Sequence, residues 1–301
     1  MSFAHPDREP TVQSLFGRPR GGPTVLRMLL GAQLRRLRLE SGLGRAEAGA
    51  SIRASDSKIS RMELGRVGFR ERDIADLLTL YGVVDEKRRE VMLDMARMAN
   101  VAGWWHQYSD VLPHWFEIYV ALEQAASRIR TYEVQFVPGL LQTEEYAREV
   151  VRLGHPEASA TELDRRVELR MARQELHSDP QPPQVWAVVD EAALRRPLGS
   201  AQAMRAQLKH LIDATMTSNV TLQIVPFLRG GHAAAGGPFS ILRFSEPDLP
   251  DVVYMEQLTS SLYLEKREDV DHYLAVIERL CVEAEPVKAT VPFLERILAE
   301  M

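Results

Sequence analysis

The sequence predicts two domains of different class: a mainly α N-terminal domain built around a helix-turn-helix, and an α+β C-terminal domain with an antiparallel sheet. Three observations support this. Between Gly44 and Arg66 the apolar residues fall at spacings of four and three, with Ala48 and Ile52 on one short helix and Ile59 and Met62 on the next. From Gly17 to Arg72 there are thirteen Lys and Arg against five acids, a local charge of +8 in a chain of −5 that leaves −13 elsewhere. From Ile129 onward, short alternating or β-branched runs such as IRTYEVQF and VTLQIV are interspersed with helical patterns. The expected division is a polar arm over 1–23, a helix-turn-helix domain over 24–84, a connecting helix over 85–103 and an α+β domain over 104–301.

The arm is broken by Pro6, Pro10, Pro19 and the Gly21-Gly22-Pro23 cluster. Arg18 and Arg20 could reach a minor groove, as basic arms do, although incidental charge on a tail is the more common case. A helix over Val25 to Glu40 puts Leu30, Leu34 and Leu37 on one face and Arg35, Arg36 and Arg38 largely on others, then stops at Ser41-Gly42. In the motif itself Ser55 is placed to cap the second helix, because its hydroxyl can accept from free backbone donors at the start of that helix. Gly49 sits where the two helices must approach closely. Asp56, Ser57, Lys58, Ser60 and Arg61 occupy the faces that Ile59 and Met62 leave free. Such side chains suit a helix laid in a major groove: Arg or Lys for guanine, Ser for either pair, Asp for the cytosine amine. The alternative is an ordinary solvated polar face, and the local positive charge favours the phosphate-binding interpretation. Arg66 and Arg70 follow as candidate phosphate holders. A further helix over Glu71 to Tyr81 completes the apolar pattern with Ile74, Leu77, Leu78 and Tyr81. The connecting helix carries Val91, Met92, Met95 and Met98.

The stretch Leu30 to Val83 resembles the phage-repressor type of helix-turn-helix, the xenobiotic-response-element (XRE) family, on the run SKISRMELGR. The resemblance implies that Ser55, Asp56, Ser57, Lys58 and Arg61 read DNA and that Arg45 grips a phosphate. One position departs from it: the turn is Ile52-Arg53-Ala54-Ser55, without the usual glycine, so either Arg53 takes an unfavoured backbone conformation or the turn differs.

In the second half, Trp104-Trp105 are expected either to plug the seam between the two domains, the more common outcome, or to line a pocket. A helix from His114 to Arg128 leads to a strand over Ile129 to Phe136, and a second helix opens at Thr143. The helix over Thr161 to His177 interleaves Arg165, Arg166, Arg170 and Arg173 with acids, which predicts a solvated, salt-bridged face. Strands follow at Val185 to Val189 and Val220 to Val225, with a helix over Ala201 to Met216 between them, and then at Phe239 to Phe244, Val252 to Gln257 and Ser261 to Leu264. The short turns between the last three favour antiparallel pairing. Helices over Glu268 to Glu283 and Val291 to Ala299 end the chain.

RIRTYEVQFVPGLLQTEEYA and GGPFSILRFSEPDLPDVVYMEQ, with Gly103-Trp104-Trp105, resemble the C-terminal domain of actinobacterial WhiJ-like regulators. That resemblance implies a transcriptional regulator in an antitoxin-like arrangement, with a small partner protein encoded nearby.

The rest of the composition is limiting. The chain is 45% apolar and 26% charged, and its single cysteine, Cys281, excludes an intramolecular disulfide framework. With no long apolar run and no signal-peptide core, a cytoplasmic protein with no membrane span is expected. The eight histidines show no metal-ligand pattern and no GxSxG elbow occurs, so no catalytic residue, metal or cofactor is assigned and no enzyme is expected. The loop Gly230 to Gly237 lacks the Lys-Ser/Thr ending of a nucleotide loop and reads as a flexible connection. Asp190-Glu191 reads as an ordinary strand end. The expected function is sequence-specific binding of double-stranded DNA by a homodimer, since one small motif covers too few base pairs for tight specific binding. The alternatives are an interaction module with an inactive head, and a small-molecule sensor whose pocket lies between the sheet and the helix from His114.

Overall fold

The computed structural model describes residues 22–246 and 249–301. It divides into two units between Gly103 and Trp104. The arm's Arg18 and Arg20 lie outside the described residues.

The first unit holds five helices: α1 (Gly22–Glu40), α2 (Arg45–Ser51), α3 (Asp56–Glu63), α4 (Glu71–Leu80) and α5 (Glu86–Ala99). Leu30 and Leu34 of α1, Ile59 and Met62 of α3, Ile74, Leu77 and Leu78 of α4, and Met92 of α5 are all but fully buried and form the core. Helix α1 starts earlier than expected, and Val25, Leu26 and Met28 are buried as well. Helix α5, read from the sequence as a connection, packs on α1 and α4. Its buried face runs through Met92, Met95, Ala96 and Ala99, while Met98 stays exposed. The two alanines let α5 lie close to α1, and the methionine pattern alone could not show that.

The second unit contains α6 (His114–Ala125), β1 (Arg128–Glu133), α7 (Glu144–Gly154), α8 (Ala160–Gln174), β2 (Gln184–Asp190), α9 (Glu191–Arg195) and α10 (Ala201–Ala214). It continues with β3 (Val220–Val225), β4 (Phe239–Arg243), β5 (Val252–Glu256), β6 (Ser261–Leu264), α11 (Arg267–Glu283) and α12 (Thr290–Glu300). Its six strands form one sheet in the order β3-β2-β1-β4-β5-β6.

The sheet is mixed, which corrects the expectation of an antiparallel one. β1 pairs with β2, and β2 with β3, in parallel. β1 to β4, β4 to β5 and β5 to β6 are antiparallel. The cause is the connections: α7 and α8 separate β1 from β2, and α9 and α10 separate β2 from β3, so each helical crossover returns the chain to the same end of the sheet. Only the last strands are joined by short turns.

One face of the sheet packs Tyr132, Val188, Ile241 and Val253 against Val270, Ile277 and Leu280 of α11. On the other face Tyr119 of α6 meets Tyr254 of β5 with ring centroids 4.1 Å apart. Trp105 is buried among Tyr108, Val111, Leu112, Val120 and Leu169. Trp104 lies edge-on to it at 6.0 Å and donates its indole N–H to Gln124, so both indoles serve the second unit.

The charged helix α8 also departs from expectation. Arg165 and Arg166 pair with Asp110 and Glu162 near the surface, but Arg173 turns inward and binds Glu123 through two 2.8 Å bonds, with both residues buried. Arg170, half-buried, donates to Gln142 at 2.9 Å. Positions 166, 170 and 173 share one helix face, which runs from near the surface at Arg166 to the interior at Arg173.

Candidate nucleic-acid interface

The interface is built on α2, the turn and α3. Gly44 precedes α2, and the Glu47 carboxylate accepts from its N–H at 2.8 Å. The turn brings Ala54 against α2: a Cβ on Gly49 would lie 2.6 Å from the Ala54 carbonyl oxygen, which is why that position has no side chain. Arg53 has φ +54°, the left-handed region, and no other non-glycine among the described residues has positive φ. The missing glycine of the turn is therefore met by strain in Arg53, not by a different turn. Ser55 is the N-cap of α3, its hydroxyl accepting from Lys58 N at 3.2 Å.

Ile59 and Met62 bury one side of α3 and leave the other side to polar groups. Ser55, Asp56, Ser57 and Arg61 are exposed, and Lys58 and Ser60 are half-buried. Ser57 and Arg61, four residues apart, share an outward face, and Arg61 makes no ion pair among the described residues. Arg45 reaches across from α2, its Nε 3.1 Å from Asp56 Oδ1 and its Nη1 donating to Ser60 Oγ at 3.2 Å. Lys58 is directed elsewhere: its Nζ lies 2.6 Å from Asp73 Oδ2 at the start of α4. Arg66 and Arg70 are exposed on the segment between α3 and α4. The structure thus groups Arg45, Asp56 and Ser60, leaves Ser57 and Arg61 facing outward, and pairs Lys58 with an acid of the same unit.

A supporting pair absent from the sequence prediction lies behind α3. Glu63 and Arg38 of α1 are both buried and joined by bonds of 2.5 and 2.9 Å, while Arg38 also donates to the Leu43 carbonyl at 2.9 Å. This locks the last turn of α3 to α1. Burial, with the charge of Glu63, pushes the nearby Tyr81 hydroxyl up to about 12. The sequence signal was a carboxylate beside Met62 on the inward side of α3, which is costly unless a cation meets it.

The second unit has polar groups of its own near the ends of β1 and β2. The loop 230–237, expected to be a flexible connection, is anchored: His232 Nε2 lies 3.0 Å from the Tyr132 hydroxyl and 3.6 Å from Asp190 Oδ2, and Ala233 N donates to Glu283 at 3.3 Å. Asp190 also caps α9 by accepting from Ala192 N at 2.8 Å, so this strand end begins a helix. Glu133 is half-buried at the end of β1; burial, and then the charge of Glu256, pushes its carboxyl up to about 8 against the pull of Arg170. Between the sheet and α6, where a ligand pocket was one alternative, Tyr119 packs on Tyr254 with both rings buried.

Comparison with known families gives two matches. Residues 29–91 match a model described as a helix-turn-helix domain, which covers α2 and α3 with most of their supporting helices. Residues 116–296 match a model described as a domain of unknown function, DUF5753. No curated protein and no solved structure matches the chain. No helix among the described residues is long and apolar enough to cross a membrane. With the second model spanning more than half of its length, the chain belongs to the DUF5753 family and carries a helix-turn-helix domain ahead of that region.

Proposed function

We propose that this chain is a sequence-specific DNA-binding transcriptional regulator of the cytoplasm that acts as a homodimer on paired half-sites. The observation that carries the proposal is the outward face of α3, where Ser57 and Arg61 stand exposed beside Arg45 in the most basic part of the chain. In this account Arg61 addresses base edges together with Ser55, Asp56, Ser57 and Ser60, while Arg45, Arg66 and Arg70 hold phosphates. Lys58 joins them only after leaving Asp73. The likeness of both halves to WhiJ-like actinobacterial regulators supports an antitoxin-like arrangement in which the second unit takes a small partner protein encoded nearby. No enzymatic activity is proposed. The test is genomic mapping of bound sites, followed by gel shifts on the recovered DNA with and without the neighbouring gene product. A recurring sequence under the peaks, bound by purified protein, is expected. Failure of the protein to retain its own promoter at low salt would remove the proposal.

A further inference from the structure

A cleft of about 490 Å³ opens where α1, α2 and α3 meet. Its floor is closed by the Arg38–Glu63 pair, whose charges are spent on each other. Its rim carries Arg35, Arg45 and Ser60. Arg45 and Ser60 belong to the face already assigned to DNA, but Arg35 comes from α1. Arg35 is exposed and has no ion pair among the described residues. Its neighbour Arg36 points elsewhere and lies 3.9 Å from Glu40. The cleft therefore has two cations and a hydroxyl around its mouth, with one of those cations uncommitted.

We infer that this cleft seats a backbone phosphate of the duplex and that Arg35 is a phosphate-binding residue, so that the DNA footprint extends from the helix-turn-helix onto α1. The inference rests on the regulator reading above and extends it to a residue outside the recognition motif. A phosphodiester carries one negative charge on two free oxygens, which matches the two guanidinium groups of Arg35 and Arg45 at the mouth. Arg45 can turn from Asp56 to such an oxygen without leaving the rim, since it already bridges Asp56 and Ser60. Contacts of this kind carry no base information, so Arg35 sets affinity and not sequence preference.

The experiment compares the full-length wild type with Arg35→Ala, Arg35→Lys and Arg36→Ala, measuring affinity for the mapped site and for a random-sequence duplex over a salt series. Thermal unfolding runs in parallel as a check on folding. Arg35→Ala is expected to lower the slope of log affinity against log salt by about 0.9 on both duplexes, the value for one lost phosphate contact. The ratio of specific to random binding should hold. Arg35→Lys should keep the slope, because lysine still delivers a point charge to phosphate, and Arg36→Ala should keep it as well. An unchanged slope for Arg35→Ala beside tight wild-type binding overturns this inference alone, and so does an equal fall for Arg36→Ala, which would report net charge and not a site. Wild-type protein that ignores every duplex at low salt overturns the regulator reading and this inference together.

Discussion

Arg61 and Glu133 are opposite cases of a side chain that makes no ion pair among the described residues. Arg61 is in water, where a free guanidinium costs little, and it can form charge-assisted bonds to a guanine edge. Arg61→Ala should cost about 1–3 kcal/mol at the mapped site and flatten base preference at one position, with little change on random DNA. Equal losses on both duplexes would move Arg61 to the phosphate-holding group. Glu133 is half-buried, and its proton is held more tightly in the folded chain than in the unfolded one, about 8 against an ordinary 4.5. A raised folded value means that the stability it lends is complete below about 4.5 and is lost as pH climbs through about 8. Glu133→Gln should remove that loss. At pH values above the folded midpoint the variant should melt a few degrees higher than wild type, the scale of a ~1 kcal/mol change in a domain of this length, and the difference should vanish in acid. Identical melting profiles across the range would show that Glu133 is fully solvated.

At the level of elements, what matters is how α3 is held. Gly31 of α1 lies against the end of α3, where an added Cβ would sit 2.5 Å from the Met62 carbonyl oxygen and 2.7 Å from that of Glu63. Replacing a helical glycine by alanine ordinarily gains about 1 kcal/mol from backbone entropy. Here the contact is with backbone that cannot rotate away, and overpacking of about 1–3 kcal/mol should win. Gly31→Ala is expected to lower the melting temperature and to weaken binding to specific and random DNA together, although no residue of the interface has been touched. A stabilised variant would mean that α1 and α3 can separate freely.

The same elements show what was legible in the sequence. Ser55 as a cap, Gly49 as a close contact and Arg53 as a possible strained turn could be read because each depends on residues within a few positions along the chain. Lys58 with Asp73, Arg38 with Glu63 and Arg173 with Glu123 could not, since the partners are 15, 25 and 50 residues apart and charge alone names no mate. The strands themselves were recognisable from alternation. The parallel pairing of β1, β2 and β3 was not, because it follows from the helical crossovers between them and not from any pattern inside them.

For the whole molecule, a basic helical unit is joined to a longer, acidic region. A head of this size makes few contacts alone, so specific binding should come from two heads reading two half-sites. A duplex with both half-sites is expected to bind far more tightly than one with a single half-site, and sedimentation should find two chains on it. One chain per full site would remove the dimer from the proposal.

Asp73, lastly, has a place in any encounter with a polyanion. With no duplex present it occupies the ammonium of Lys58 in the manner of an internal counterion. Any strand that recruits Lys58 has to displace a carboxylate first, and loosely bound DNA recovers less than a well-seated strand does from that exchange. On the proposed function, the head thereby withholds one of its cations from casual contacts and yields it only to a duplex that fits.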